Sequence, residues 1–292
     1  MKKIAVVGVA GGWSSETLAD ALAQRTGFRC LVDMEHARLD LTRESLTIGE
    51  IELGQLDALI VKKVGPRYSP DLLDRLEMLR FVHGQGLPIF SPPEAILRVL
   101  DRLSCTVTLR LYKIPMPATV ITEHPEYAAR AVEKMGPSIL KPLYSSKARG
   151  MQVAEPGPGL LEQLQQFKAE GNNIIYVQQK LDLPGKDMGV AFLGGEYLAT
   201  YARVNNGNSW NTTINSGGKY EAYEPPPEII KLARRAQEPF GLDFTCVDVV
   251  ETNNGPMVFE VSAFGGFRGL LQANEVDAAS LYADYVLRRL EQ

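Results

Sequence analysis

The residues with the clearest chemical promise lie near the end of this 292-residue chain. Asp248 sits in the run Thr245-Cys246-Val247-Asp248-Val249-Val250, and Glu260 in Val258-Phe259-Glu260-Val261. An acid embedded in such an apolar, β-branched run needs a partner or a metal. Asn253-Asn254-Gly255 is a turn signal between the runs, and pairing Asp248 with Glu260 centres the hairpin on Asn254. Two carboxylates side by side repel unless a positive charge stands between them. Mg²⁺ with phosphate oxygens is one filler, because that ion takes one or two carboxylates and leaves the rest of its shell to substrate. Salt bridges at a sheet edge are the other.

Lys141 ends the apolar stretch Ser138-Ile139-Leu140. A lysine there either meets an anion such as phosphate or lies along the edge with its charge in water. Tyr144-Ser145-Ser146-Lys147-Ala148-Arg149-Gly150 follows, a small, polar and basic segment that can fold over phosphates or remain a solvated loop. It is not the GxxxxGK[ST] phosphate loop. Arg203 lies in Tyr201-Ala202-Arg203-Val204, ahead of a polar loop with Trp210, Asn211, Thr212, Thr213 and Asn215 and the pair Gly217-Gly218. Residues 262–269, with three glycines and Arg268, suit a carboxylate-binding loop just after Glu260. Gly8-Val9-Ala10-Gly11-Gly12 lacks the GxGxxG spacing and reads as a tight turn into a helix, which leaves Asp33 without the glycines a ribose-binding acid needs.

The elements that must position these residues follow from periodicity. Residues 4–9 form a continuous apolar run, as in a strand buried on both faces. A helix follows, with Leu18, Ala19, Leu22 and Ala23 at helical spacing and Ser14 or Ser15 as its cap. Strands at 28–32, 58–61 and 87–90, with a helix after Ser69-Pro70, complete a βαβ rhythm and a mostly parallel sheet. A second unit begins near Ser91-Pro92-Pro93: helical pattern over 94–111 with a break near Asp101, strands at 118–122, 138–142 and 174–178, helices at 127–135 and 160–169. The remainder reads as antiparallel: strands 189–193 and 197–204 around Gly194-Gly195, a helix at 226–240, strands 245–251 and 257–261, and a closing helix at 278–290.

Composition narrows the class. Lysine and arginine number 31 against 35 acids, a net charge of −4, and 45% of residues are hydrophobic. A chain so balanced is neither disordered nor a general nucleic-acid binder. Cys30, Cys105 and Cys246 form no CxxC or Cys/His cluster, so a disulfide framework and a zinc site are not expected. The N-terminal apolar run is too short for a signal peptide and no stretch has the length of a membrane span, which together predict a cytoplasmic protein away from the membrane.

The ordered set of Lys141, the small polar loop, Val177-Gln178-Gln179, Arg203, Gly217-Gly218, Asp248 and Glu260 resembles the ATP-grasp superfamily, most closely its RimK-like carboxylate–amine ligases. The resemblance spans about residues 101–269. It implies an α/β chain, α+β toward the C-terminus: a Rossmann-like parallel α/β domain at 1–92, a central nucleotide-lid subdomain at 93–177, and a C-terminal subdomain with the metal site at 178–292. It further implies ATP and Mg²⁺ as cofactors, with two ions bound and Mn²⁺ as a variant. Arg102, Lys141, Ser145, Ser146, Lys147 and Gly150 would meet the phosphates. Gln178, Gln179 and Leu181 would border the adenine, with Asp187 near the ribose. Arg203, Lys141 and Arg268 would be catalytic, and Asp248, Glu260 and Ser262 would hold metal. The implied reaction is amide formation through an acyl-phosphate, between an amino acid such as L-glutamate and a small-molecule or peptide acceptor. Residues 208–218 are similar to ligases acting on pterin or furan one-carbon cofactors, and the partners implied are these substrates and a second copy of the chain. A phosphate-transferring kinase and a non-catalytic nucleotide binder remain as alternatives. Several positions depart from the family pattern: Arg102 for lysine, Gly189 for arginine, Thr213 and Ser262 for asparagine, and a single glycine in the phosphate loop.

Overall fold

The computed structural model describes residues 2–146, 148–183, 185–205, 212 and 217–292. Lys147 and most of the polar loop, including Trp210, Asn211, Thr213 and Asn215, lie outside the described residues. The chain opens with β1 (Ile4–Val7), α1 (Trp13–Thr26) and β2 (Leu31–Val32). A small antiparallel sheet of β3 (Ala37–Asp40), β4 (Ser45–Ile48) and β5 (Ile51–Glu52) follows. Then come β6 (Ala58–Val61), α2 (Asp71–Gly84) and β7 (Ile89–Phe90). β2, β1, β6 and β7 pair in that order, all in parallel, and every residue of β1 and β6 is buried. Continuous Ile, Val, Leu and Ala is what a strand covered on both faces requires.

Periodicity assigns no element between residues 32 and 58, because the strands of the small sheet are two to four residues long and too short to show a period. One expectation fails here for a local reason. Neither Ser14 nor Ser15 caps α1: Gly12 precedes the helix, and Ser15 Oγ instead accepts from Val9 N–H at 3.2 Å. In the glycine turn Gly11 N–H donates to Glu16 Oε1 at 2.8 Å. Asp33 is likewise spent on Glu35 N–H.

The expected break near Asp101 divides α3 (Pro93–Leu100) from α4 (Arg102–Leu111). Asp101 is extended, and its side chain caps α4 by accepting from Leu103 N–H at 3.0 Å. Next come β8 (Thr119–Thr122), α5 (Pro125–Met135), β9 (Ser138–Leu140), β10 (Gln152–Ala154), α6 (Leu160–Ala169) and β11 (Ile175–Gln179). They form an antiparallel sheet in order β10-β9-β11-β8. Leu140, Ile175 and Val177 bury one face under Val132 of α5 and Leu164 and Phe167 of α6. The alternate residues, Lys141, Tyr176 and Gln178, therefore point the other way.

The last part carries β12 (Lys186–Leu193), β13 (Glu196–Val204), β14 (Lys219–Ala222), α7 (Pro227–Gln237), β15 (Phe244–Thr252), β16 (Gly255–Ser262), α8 (Phe267–Asn274) and α9 (Ala278–Arg289). The five strands are antiparallel in order β14-β13-β12-β15-β16. Gly194 and Gly195, at φ +59° and +81°, close the β12–β13 hairpin as the pair of glycines predicts. On one face Met188, Val190, Val247 and Val249 are buried against Ile229, Leu232 and Ala233 of α7. Burying each such leucine or isoleucine contributes about 1.5–3 kcal/mol. The opposite face is polar at one end, and α8 and α9 cover the other, packed in turn on Leu18 and Leu22 of α1. No helix among the described residues is long and apolar enough to cross a membrane.

Candidate active site

The polar end of that face is built by register. Asp248 on β15 lies opposite Glu260 on β16, as the sequence predicts, although the hairpin is centred elsewhere. Thr252 and Gly255 close a two-residue turn at Asn253-Asn254, which alone would set Asp248 against Phe259. A bulge between Asp248 and Val249 absorbs one residue and returns Glu260 to Asp248. Across β12, Asp187 pairs with Arg203 of β13. The Arg203 guanidinium is bidentate on Asp187, with Nε to Oδ1 at 3.1 Å, and its Nη2 also lies 3.0 Å from Asp248 Oδ1. Thr212 donates to the same Asp187 oxygen. Burial disfavours both charges: it pushes the Asp248 carboxyl up to about 7, aided by neighbouring Glu260 and Asp187 and opposed by Arg203. Arg203 is held well above its ordinary range, since Asp248 and Asp187 outweigh its own desolvation.

The facing sheet supplies cations. Lys141 Nζ donates to Gln178 Oε1 at 2.5 Å, and Gln178 in turn donates to Thr119 Oγ1 and Tyr176 OH. Burial, helped by Arg102, pulls the Lys141 ammonium down to about 7, against the pull of Glu260 and Asp248. Arg102, the first residue of α4, acts as a clasp. Its Nε donates to Pro142 O at 3.1 Å, its Nη2 to Ser145 O at 3.0 Å, and its Nη1 to Glu260 Oε2 at 3.2 Å. The segment of Ser145 and Ser146 is thereby tied to the carboxylate pair, with a small cavity among Arg102, Ser145, Glu260 and Ser262. Arg149 is exposed and donates to Ser146 Oγ at 2.9 Å, and Gly150 turns the chain at φ +68°.

Other expected site residues are placed differently. Gln179 donates to Met135 O at 3.4 Å, on the α5 side, so its side chain leaves the face that Gln178 shares with Lys141. Leu181 lines a second cavity of about 220 Å³ with Asp182, Asn205 and Thr212. Asp187 turns its carboxylate onto Arg203 and Thr212. Ser262 Oγ accepts from Phe264 N–H at 3.3 Å. Arg268 is exposed at the start of α8, with its guanidinium 5.1 Å from the Trp13 ring centroid. Sequence reasoning missed two features: the clasping role of Arg102, and Tyr201, whose buried ring fills the space over Gly189 and Gly269. The glycine at 189 was the available signal.

Among the described residues no group of three or more His, Cys, Asp or Glu is arranged to hold a metal ion by itself. Two carboxylates flanked by arginines and a lysine instead fit an ion that shares its shell with phosphate oxygens, as Mg²⁺ does. A carboxylate pair on one antiparallel sheet thus faces a half-buried lysine on another. Residues 99–286 match the RimK-like ATP-grasp domain, and the chain belongs to that family. It is 24% identical to the tetrahydromethanopterin:alpha-L-glutamate ligase of Methanosarcina acetivorans over 98% of this chain and 99% of that one. Identity to the ligase of the same name from Methanocaldococcus jannaschii is 28%, over 81% of each chain. The fold superimposes on a RimK domain ATP-grasp protein of Sphaerobacter thermophilus with TM-score 0.75 and 24% identity, over 97% of this chain and 98% of that one. Another ATP-grasp ligase, PsnB, solved with a minimal precursor, gives TM-score 0.75 at 18% identity over 99% of both chains. The chain is an enzyme of the ligase class.

Proposed function

We propose that the protein is an ATP- and Mg²⁺-dependent carboxylate–amine ligase that adds an amino acid, L-glutamate first among candidates, to a small-molecule or peptide acceptor. A pterin-type acceptor is favoured by the names of the two relatives. The observation that carries the reading is the pairing of Asp248 with Glu260 beneath Lys141, with Arg203 bridging Asp248 to Asp187. A carboxylate oxygen of one substrate attacks the γ-phosphorus of ATP and ADP leaves. The amine of the other then attacks the acyl carbon, phosphate departs with the bridging oxygen, and the nitrogen gives up a proton.

Charge neutralisation and alignment are what the protein supplies to such a transfer. Lys141 and Arg203 neutralise the moving phosphoryl group from opposite sheets, while Arg102, Ser145, Ser146 and Gly150 shape the segment above it. Gln178 fixes Lys141 rather than touching the base, and Asp187 orients Arg203. The backbone at Gln179 and Leu181 edges the second cavity, where the nucleoside would lie. Mg²⁺, when bound, would be held by Asp248 and Glu260 with Ser262 at its margin, and would offset charge on the phosphates. Arg268 would meet a substrate carboxylate.

The test is incubation of the purified protein with ATP, Mg²⁺, glutamate and candidate acceptors, read by ADP release and product mass. Acceptor plus one glutamate residue, with free phosphate, is the expected result. An acceptor carrying a phosphoryl group would identify a kinase instead. Nucleotide binding without any acceptor-stimulated ADP release would identify a non-catalytic binder.

A further inference from the structure

Lys62 follows β6 at the C-terminal end of the parallel sheet, where its N–H donates to Val7 O at 2.8 Å. Its side chain does not leave for solvent: the residue is 2% exposed, between the N-terminal sheet and α8. Nζ donates to Phe264 O at 2.8 Å and stands 3.9 Å from the Phe267 ring centroid and 5.7 Å from that of Phe244. No carboxylate lies within ion-pair distance of Lys62 among the described residues. A buried ammonium without a counter-ion is costly, and an unbranched apolar side chain would fill the same apolar surroundings at less cost. What the ammonium adds is a fixed carbonyl and a fixed ring.

Those two groups bracket the segment between β16 and α8. Phe264 N–H is held by Ser262 Oγ at 3.3 Å, and Ser262 stands two residues beyond Glu260. Gly265 and Gly266 follow, the latter at φ +95°, so the backbone itself does little to hold this turn. Arg268 comes directly after Phe267. A single side chain from the N-terminal sheet thus grips both sides of a glycine pair whose ends carry Ser262 and Arg268.

We propose that Lys62 is a positioning residue: it sets the 263–267 turn, and through it the placement of Ser262 beside the carboxylate pair and of Arg268 toward substrate. The substrate part of this inference rests on the ligase reading above; the placement of the turn does not. Lys62 touches no reacting atom, and its effect falls on acid and amine substrates rather than on nucleotide.

The experiment compares wild type with Lys62→Met, which keeps the stem and removes the charge, and with Lys62→Gln, which keeps a donor. Amide hydrogen exchange of peptides covering 263–269 is expected to quicken about tenfold in Lys62→Met, with partial recovery in Lys62→Gln. KM for the acid or amine substrate should rise about tenfold or more, because a displacement of about 1 Å at a positioned group can cost that much. KM for ATP should stay within about twofold. Unchanged exchange at 263–269 in both variants overturns the proposal, as does exchange that quickens equally across β1 and β6, which marks a purely structural role. If Lys62→Met does not fold, Lys62→Gln carries the same readouts. Should the wild type form no amide, the ligase reading fails while the exchange arm still decides the role of Lys62.

Discussion

At the scale of single residues, the site is a balance of charges that no one of them could hold alone. Asp248 lies within reach of Arg203 and opposite Glu260, and its carboxyl is pushed up to about 7 chiefly by burial. Asp248→Asn and Glu260→Gln keep shape while removing charge. ADP release is expected to fall by about 10²–10³-fold in either variant, the size of loss seen when one preorganised electrostatic group is removed. Metal-free thermal unfolding should shift little, since Asp248→Asn also relieves carboxylate crowding. A variant with wild-type turnover would remove these residues from the chemistry. Arg203 spans two acids, Asp187 by a fork and Asp248 by one nitrogen, which the point charge of a lysine cannot reproduce. Arg203→Lys is therefore expected to lower kcat by at least about tenfold with folding intact, read in the same ADP assay. Asp248 and Glu260 were legible because acids inside β-branched runs contradict their surroundings. Lys62 was not, since a lysine after Ala-Leu-Ile-Val reads as a strand leaving for water.

At the scale of elements, periodicity found most strands and helices that carry the site, and missed what depends on neighbours. Residues 160–169 and the break at Asp101 were readable because a helix period and a cap are local. The bulge opposite Asp248 was not, for it arises only when two strands of particular lengths pair. Nor was Tyr201, which is one aromatic among several until β12 and α8 close on it. There Gly189 and Gly269 lack side chains for a reason: a Cβ at Gly189 would come within 2.3 Å of the Tyr201 ring, and one at Gly269 within 2.7 Å. The ring is 3% exposed and cannot swing aside cheaply. Gly189→Ala should destabilise the fold by about 1–3 kcal/mol, the usual cost of overpacking, measured by urea unfolding. Tyr201→Leu combined with Gly189→Ala should cost less than the sum of the two single changes. Strict additivity would mean that the ring and the strand do not compete for this space.

At the scale of the whole molecule, the N-terminal parallel sheet and the C-terminal antiparallel sheet are joined by apolar contacts. One cluster runs from Val6 and Leu22 through Phe244 and Phe267 to Ala283, and Lys62 lies within that junction. The net charge of −4 says nothing of this; the placement of a handful of ammonium and guanidinium groups does. Placement also gives the molecule a pH signature. Burial lowers the Lys62 ammonium from 10.5 to about 7. Between those values the unfolded chain holds a proton at this site that the folded protein has given up, so raising the pH favours the folded state. Below about 7 both states are protonated and the full penalty of the buried charge remains. The slope from one such group is at most about 1.4 kcal/mol per pH unit. Lys62→Met has no group to titrate, so its stability lacks this component. Buried thiols, such as Cys105, pushed up to about 12 by burial, act in the opposite sense above about pH 9 and are common to both proteins. Urea unfolding of wild type and Lys62→Met should therefore be compared from about pH 7 to about pH 9. The difference should move in favour of the wild type by about 1 kcal/mol per pH unit. A difference that stays flat across the window would mean that the ammonium keeps its proton, held by Phe264 and the aromatic rings more firmly than burial opposes it.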